Sequence, residues 1–416
     1  MVNMRASVQS AAMAAAVVTI TLFANLAAGA AVAPSSAQVK YSTWMASSIM
    51  SRSQGIMTGL GGSSELLQAG VTQRALTAVA AQYPDDESTS EIKTYILNSV
   101  TSVAPFTLNA THDALSYPLD RLSTGNALFT LYGTADDQTA SFRASAAALR
   151  HSIDLNRRNP EGGLWYFVYP QWSYLDGMYS LAPFYTLYPT SGDSGNTTAA
   201  LDDMYYQLDL LWQHTRNATT GLLKHGYDAS KTAVWADPVT GASPHVWGRS
   251  LGWYAMALVD TLELLAQKEG TCKYRGRILE KYRSLAAALV SAVDARTGGW
   301  WQVLDEPTGE GNYIESSGTA MFAYALLKGA RLGYLSVADA PKASAVGARA
   351  QGYLTDTFVV REANGTLGYN GTVAVCSLNS TASYTYYVGQ PISYNSVLGS
   401  AAYVLASLEV ERLGTP

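Results

Sequence analysis

Apolar residues follow helical spacing along most of the chain, in two styles. From Thr139 to Asp154, Ala199 to His214, Leu279 to Val293 and Ala338 to Thr357 they recur three and four apart among charged residues, which predicts helices with one buried face. A second set opens on polar or small residues and then turns apolar on every side: LDRLSTGNALFTLY from Leu119, LDGMYSLAPFYTLY from Leu175, WGRSLGWYAMALVDTLELL from Trp247, ESSGTAMFAYALLKGARLGYL from Glu315 and SYNSVLGSAAYVLASLEVERL from Ser393. Helices that are apolar all round are buried ones. Glycine-aromatic turns punctuate the same stretch: EGGLWYFV at 161–168, TGLLKHGYD at 220–228, TGGWWQVLD at 297–305 and NGTLGYN at 364–370. The repeat interval is roughly 55 to 80 residues, room for two helices and their loops. The pattern predicts an all-α fold, a toroid of about six helical hairpins with the glycine- and alanine-rich helices around the axis and the amphipathic ones outside. No alternation of valine-rich strands with helices argues for a parallel sheet.

The N-terminus breaks this pattern. Residues 1–30 carry one charge, Arg5, then an alanine-rich apolar run from Ala11 to Ala28 that ends in Ala28-Gly29-Ala30. That predicts a cleaved secretory signal peptide over 1–30, with 31–416 as a single barrel domain. An uncleaved anchor competes, since Ala11 to Ala33 is long enough to span a bilayer; Thr19, Thr21 and Asn25 inside the run, and the small residues at its end, favour cleavage. Six Asn-x-Ser/Thr sequons, at Asn109, Asn196, Asn217, Asn364, Asn370 and Asn379, extend the expectation to a secreted, extracellular glycoprotein from a eukaryotic secretory route. Removing the leader takes one positive charge from a chain of formal net charge −5. Neither nucleic acid nor an anionic membrane is therefore expected as a partner, because both call for clustered Lys and Arg. The two cysteines, Cys272 and Cys376, leave one disulfide open, a staple on a chain with apolar residues enough to build its own core.

Candidate chemistry concentrates at the starts of the inner segments, where Asp120, Asp176, Arg249, Ser316, Ser317 and Asn395 fall. Asp176 stands alone among aromatic and small residues in YPQWSYLDGMYSLAPFYTLY, 169–188. Burial there would raise its pKa and suit a catalytic acid; the same residue, ahead of Gly-Met-Tyr-Ser, could equally cap a helix. In SPHVWGRSLGWYAMALVDTLELL, 243–265, Arg249 and Trp253 lie four apart on a predicted helix with His245 and Trp247 in the loop before it. Such a set suits a sugar carrying a carboxylate, the Arg gripping the acid with two donors and a Trp stacking on the ring. The alternative is an Arg satisfied by helix carbonyls or by Asp260, and tryptophans that only pack.

Read in order from about Asp120 to the C-terminus, LDRLSTGNALFTLY, GGLW followed by YPQWSYLDGMYSLAPFYTLY, LLKHGYD, WADPVTGASPHVWGRSLGWYAMALVDTLE and GSAAYVLASLE resemble the unsaturated rhamnogalacturonyl hydrolase family, relatives of the unsaturated glucuronyl hydrolases. LDG-x-Y-x-x-x-P-F together with H-x-W-x-R-S-x-G-W-Y carries most of the specificity. The resemblance implies an (α/α)6 barrel without cofactor, acting on an oligosaccharide from a pectin lyase that bears a 4,5-unsaturated uronic acid at its non-reducing end. It implies hydration of the enol-ether double bond, with Asp176 protonating C4 and activating the water that adds at C5. Asp120 would be the second carboxylate; His225, Trp247, Arg249 and Trp253 would line the pocket, with His245 beside them. A helix N-terminus favours the carboxylate form of Asp176, so burial and a neighbouring Asp120 are expected to outweigh it. Relatives commonly carry a histidine just after the GG-aromatic-Trp turn; Tyr166 stands there in this chain, which is expected to remove one polar contact.

Other chemistries find less support. His112, His151, His214, His225 and His245 include no pair at helical ligand spacing and there is no cysteine cluster, so no metal is expected. Gly59 to Gly62 lacks the Lys-Ser/Thr of a phosphate loop. Gly192-Asp193-Ser194-Gly195 reads as a solvated loop rather than a protease nucleophile. Two other functions stay open: a conventional glycosidase or mannanase of the same α/α class, with its second carboxylate across the scissile bond, and a non-catalytic sugar-binding protein.

Overall fold

The computed structural model describes residues 39–62, 64–131, 137–191, 196–266 and 268–414, with 137–139 as backbone only. Residues 1–30, expected to be a leader, and the segment Gly192–Gly195 lie outside the described residues. From Lys40 onward the chain forms one compact unit. Its helices are α1 (Tyr41–Ser51), α2 (Glu65–Gln82), α3 (Thr89–Val103), α4 (Ala110–Ser116), α5 (Gly125–Leu131), α6 (Asp137–Asp154) and α7 (Gly177–Thr190). There follow α8 (Thr197–Thr215), α9 (Gly248–Ala266), α10 (Cys272–Ala292), α11 (Ser316–Arg331), α12 (Ala340–Phe358), α13 (Tyr384–Val388) and α14 (Val397–Leu413).

Among the described residues, α2, α5 with the 3-10 turn before it, α7, α9, α11 and α14 each pack on the next, and α14 returns to α2. The ring is closed. Around it α3, α6, α8, α10, α12 and α1 each cover one inner helix, α1 lying on α14. This is the expected (α/α)6 toroid, and the two predicted styles of helix separate as inner and outer layers: α9, α11 and α14 are buried over nearly their whole length, whereas α12 buries only Ala343, Gly347, Ala350, Gln351 and Leu354. No helix of the described residues is long and apolar enough to cross a membrane.

Two parts depart from the sequence expectation. The first three helices have no counterpart in it; of these α2, ELLQAGVTQRALTAVAAQ, has sides that hardly differ in polarity. The segment from Leu119 is a 3-10 turn, Leu119–Thr124, running into the short α5, where Gly125 lies so close to α7 that a Cβ would stand 2.4 Å from the Phe184 ring.

The glycine-aromatic turns are structural equivalents. Gly162, Gly221, Gly298 and Gly365 all have φ between 75° and 84–85°, a left-handed backbone that a Cβ penalises. In each an Asn or Asp just upstream, Asn159, Asn217, Asp294 or Asn364, accepts backbone N–H bonds from the turn. Three of these turns, with the segments beside them, carry the two ribbons among the described residues. β1 (Trp172–Tyr174) runs antiparallel to β2 (Gly226–Asp228), with Ser173 opposite Tyr227; β3 (Val359–Arg361) pairs with β4 (Leu367–Tyr369).

Candidate active site

The β1–β2 ribbon brings the chemistry together. Its register places Tyr174 opposite Gly226, and one residue further the Leu175 N–H donates to the His225 carbonyl at 3.0 Å. Asp176 and His225 therefore emerge side by side at the mouth of the ring. Gly226 is required there, since a Cβ would lie 2.4 Å from the Ser173 carbonyl oxygen.

Asp176 occupies the position before α7 but does not cap it: its backbone is already helical, at φ −52° and ψ −46°, and its side chain bonds no N–H of the helix. The carboxylate turns instead to α9, where the Ser250 hydroxyl meets Oδ2 at 2.5 Å. His225 Nε2 stands 3.2 Å from the same oxygen, outside hydrogen-bond alignment, while its Nδ1 meets the Tyr387 hydroxyl at 2.8 Å. The helix-cap alternative is thus replaced by a buried carboxylate facing a hydroxyl and an imidazole.

Asp120 comes from the 3-10 turn before α5. The Leu119 N–H donates to the Tyr166 carbonyl, zipping that turn to the GGLWY segment, and the Tyr166 hydroxyl donates to Asp120 Oδ2 at 2.6 Å. Asp120 Oδ1 is buried with no protein partner. Burial pushes Asp120 up to about 7; the Tyr166 donor and Arg121 hold it back, and the neighbouring Asp176 adds to the rise. Tyr166 is stacked on Tyr174, ring centroids 4.3 Å apart and nearly parallel. The expectation that tyrosine at this position removes a polar contact is therefore wrong: it makes one, on a carboxylate.

Arg249, in the first turn of α9, is buried, and its terminal nitrogens are already engaged. Nη1 donates to the Val373 carbonyl at 2.5 Å and Nη2 to the Ala374 carbonyl at 2.6 Å, while the guanidinium lies 4.8 Å from the centre of the Trp247 ring. The two-donor grip foreseen on a carboxylate is made on backbone carbonyls of a loop. Neither helix carbonyls nor Asp260 satisfy it; Asp260 pairs with Arg74 and Lys328 at the other end of α9. Trp247 donates from Nε1 to Gln302 and is buried. Trp253, one turn below Arg249, is 2 % exposed and packed on Tyr179 in the main core, so its faces are covered by protein rather than presented with Arg249 as one receptor. His245 is half-buried at the rim, its Nδ1 3.6 Å from Asp305 and its ring edge-on to Tyr384 and Tyr387.

Of the other polar helix starts, Ser317 and the Gly318 and Val373 N–H groups converge on Glu315, which caps α11. Ser316 meets Thr372, and Asn395 accepts from the Tyr369 N–H. These three positions hold the 369–374 loop rather than face the carboxylates. Cys272 is exposed at the start of α10 and Cys376 is buried beside Gln302; both are free, so the staple left open by the sequence is not made. Sequence reasoning missed Ser250, although it sits inside the H-x-W-x-R-S motif, and missed Tyr387, which lies in the five-residue helix α13, too short for a periodicity to mark it.

A closed helical toroid with two buried carboxylates at one mouth, hedged by aromatic rings, is the framework of a sugar-cleaving hydrolase. The chain belongs to Glycosyl Hydrolase Family 88, whose model matches residues 42–414, and so to the group of the unsaturated uronyl hydrolases. It is similar to a glycoside hydrolase of family 105 from C. acetobutylicum, 31 % identical, with a TM-score of 0.77 over 90 % of this chain and 100 % of that one. The unsaturated glucuronyl hydrolase of Bacillus sp. GL1 shares the fold at 14 % identity, with a TM-score of 0.62 over 90 % of this chain and 96 % of the other. The 24.9 kDa protein of the picA locus of Rhizobium radiobacter is 37 % identical over 195 residues, 45 % of this chain and 82 % of that protein.

Proposed function

We propose that this hydrolase removes a 4,5-unsaturated uronic acid from the non-reducing end of rhamnogalacturonan oligosaccharides by hydrating the C4–C5 double bond. Asp176 is the general acid and base. Its proton goes to C4 of the enol ether, charge develops at C5 next to the ring oxygen, and the carboxylate so formed takes a proton from the water that adds to C5. The resulting hemiketal opens at the ring oxygen to a ketone, and the hemiacetal left at C1 releases the neighbouring sugar. Asp120 acts beside it as the second carboxylate. His225 and Trp247 line the pocket, His245 stands at its rim, Arg249 supplies positive charge toward the uronate, and Trp253 backs the floor.

The observation that carries this reading is the Asp176 environment: a buried carboxylate, free of capping duty, within reach of one hydroxyl and one imidazole and close to a second carboxylate. The test is loss of the enol-uronate ultraviolet absorbance when the protein is mixed with lyase-treated rhamnogalacturonan, with glucuronan and glycosaminoglycan disaccharides in parallel. Asp176→Asn is expected to bring the rate below a few per cent with its circular dichroism unchanged; a larger residual rate removes Asp176 from the role. Saturated-sugar release without loss of absorbance would mark a conventional glycosidase, and binding without either would mark a sugar-binding protein.

We propose further that residues 1–30 are removed on export and that the mature protein acts outside the cell. The exposure of all six sequon asparagines supports this, since each side chain is open to a glycan.

A further inference from the structure

Resting on that reading, we propose that the hydroxyls of Tyr166 and Ser250 set the two carboxylates different tasks, Tyr166 favouring the ionised form of Asp120 and Ser250 leaving Asp176 able to give up and regain a proton. The two hydroxyls look alike, but their surroundings differ. Each has one hydrogen to give. Among the described residues the only acceptor in hydrogen-bond contact with the Tyr166 hydroxyl is Asp120 Oδ2, at 2.6 Å. Its hydrogen therefore points at Asp120, and a donor aimed at a carboxyl favours the charged form.

Ser250 has a choice. Its Oγ is 2.5 Å from Asp176 Oδ2 and 3.3 Å from the His225 carbonyl oxygen. It can donate to an ionised Asp176, or turn its hydrogen onto that carbonyl and accept the proton of a neutral Asp176 without losing a partner. Asp176 can thus be satisfied in both states, as an acid and base that protonates and is reprotonated must be. Asp120 is satisfied by Tyr166 in one state only. His225 does not oppose this assignment: Nε2 is buried without a hydrogen-bond partner at 3.2 Å from Asp176, and Nδ1 is taken up by the Tyr387 hydroxyl.

The groups that face the pair from neighbouring elements are Arg121 beside Asp120, and Tyr174, His225, Tyr387 and Cys376 around Asp176. Of these only Arg121 carries a fixed charge, and its guanidinium is spent on Ser152, Asn156 and the carbonyls of Tyr117 and Pro118. Burial works against an ionised Asp120, which lies at about 7 with the opposing pull of Tyr166 and Arg121 already in place. The Tyr166 hydroxyl is the one direct contact that pulls the other way. Tyr166 is a positioning residue, since it acts through Asp120.

The experiment has two arms. In the first, kcat/KM is followed against pH on the enol-uronate substrate. Tyr166→Phe keeps the stack on Tyr174 and loses the donor; its acid limb is expected to move to higher pH by about one unit and its maximum to fall about tenfold, with KM little changed. In an Asp120→Asn background the same substitution is expected to cost nothing further. A loss by the same factor at every pH, or equal losses in both backgrounds, would overturn the proposal. The second arm needs no substrate. Asp120 holds its proton to higher pH in the folded state than in the unfolded chain, so its contribution is fully present below about 4 and is lost as pH rises through about 7. The Tm gain of Asp120→Asn over its parent is therefore expected to grow between pH 5 and pH 8, and to grow more when the parent is Tyr166→Phe. Identical growth in the two parents sinks the role of Tyr166. A wild-type protein that leaves the enol-uronate untouched sinks the reaction instead, and the Tm comparison still decides what the hydroxyl does.

Discussion

Arg249 illustrates how a side chain proposed for the site is also held by the fold. Its guanidinium is clamped between the Trp247 ring and two carbonyls of the 373–374 backbone, so its charge is held at a set place without freedom to chase a ligand. Removing it leaves two carbonyls without donors in a buried setting, a loss of about 2–3 kcal/mol. Arg249→Ala is therefore expected to lower the urea midpoint by that measure and to raise KM. Arg249→Lys restores the charge but not the fork, so KM should recover more than stability does. Parallel measurement of KM and unfolding separates the two roles; a variant that changes KM alone would show the carbonyl contacts to be incidental. The sequence marked Arg249 as a special residue because an Arg at a buried helix start must have partners. It did not mark which partners, because Val373 and Ala374 lie 124 and 125 residues away.

At the scale of elements, each inner helix is polar where it begins, and at the opposite end of the ring one charged cluster ties three of them together. Asp260 of α9 bonds Tyr324 and Lys328 of α11 and Arg74 of α2. Burial alone would raise the Asp260 carboxyl, but Arg74 and Lys328 outweigh it and hold the group well below the usual carboxylate range. The sign follows: with a lowered folded pKa, the stabilisation is present above about pH 4 and is lost as the pH falls through the folded value. Asp260→Ala leaves Lys328 and Arg74 with Glu263 as their remaining carboxylate, 2.8 Å and 3.7 Å away, and is expected to cost about 2–3 kcal/mol at neutral pH, read from denaturant unfolding, and to lose less at pH 3 than at pH 7. A neutral-pH loss below about 1 kcal/mol would show that the cluster relaxes into water. Asp260 is thus no partner for Arg249 on the same helix: α9 carries Arg249 to one end of the barrel and Asp260 with Glu263 to the other.

At the scale of the whole molecule, the ring closes only when α14 meets α2, and the sequons sit on its outside. Asn109 and Asn196 cap α4 and α8, and Asn217 and Asn364 shape glycine turns, all with side chains at the surface. If the chain is exported as proposed, expression in a glycosylating host should yield a protein in the medium that begins after Ala30 and loses mass on enzymatic deglycosylation, with its turnover of the enol-uronate unchanged. Retention in the membrane fraction with residues 1–30 attached would favour the anchor reading instead.

By itself the sequence determined the helical class, the division into inner and outer helices, the repeated glycine turns and the places where polar residues gather. Those are local properties: spacing of three and four reports which side of a helix is buried, and a left-handed turn asks for glycine wherever it occurs. It did not reveal α1 to α3, and of these α2 has faces that hardly contrast. Tertiary structure alone decided which hydroxyl meets which carboxylate. Tyr166 and Asp120 are 46 residues apart and Ser250 and Asp176 are 74 apart, and they meet because ring closure brings successive hairpin starts to one mouth. The same closure turned Asp176 away from its own helix and toward α9, so that a residue readable as a cap became one half of a carboxylate pair.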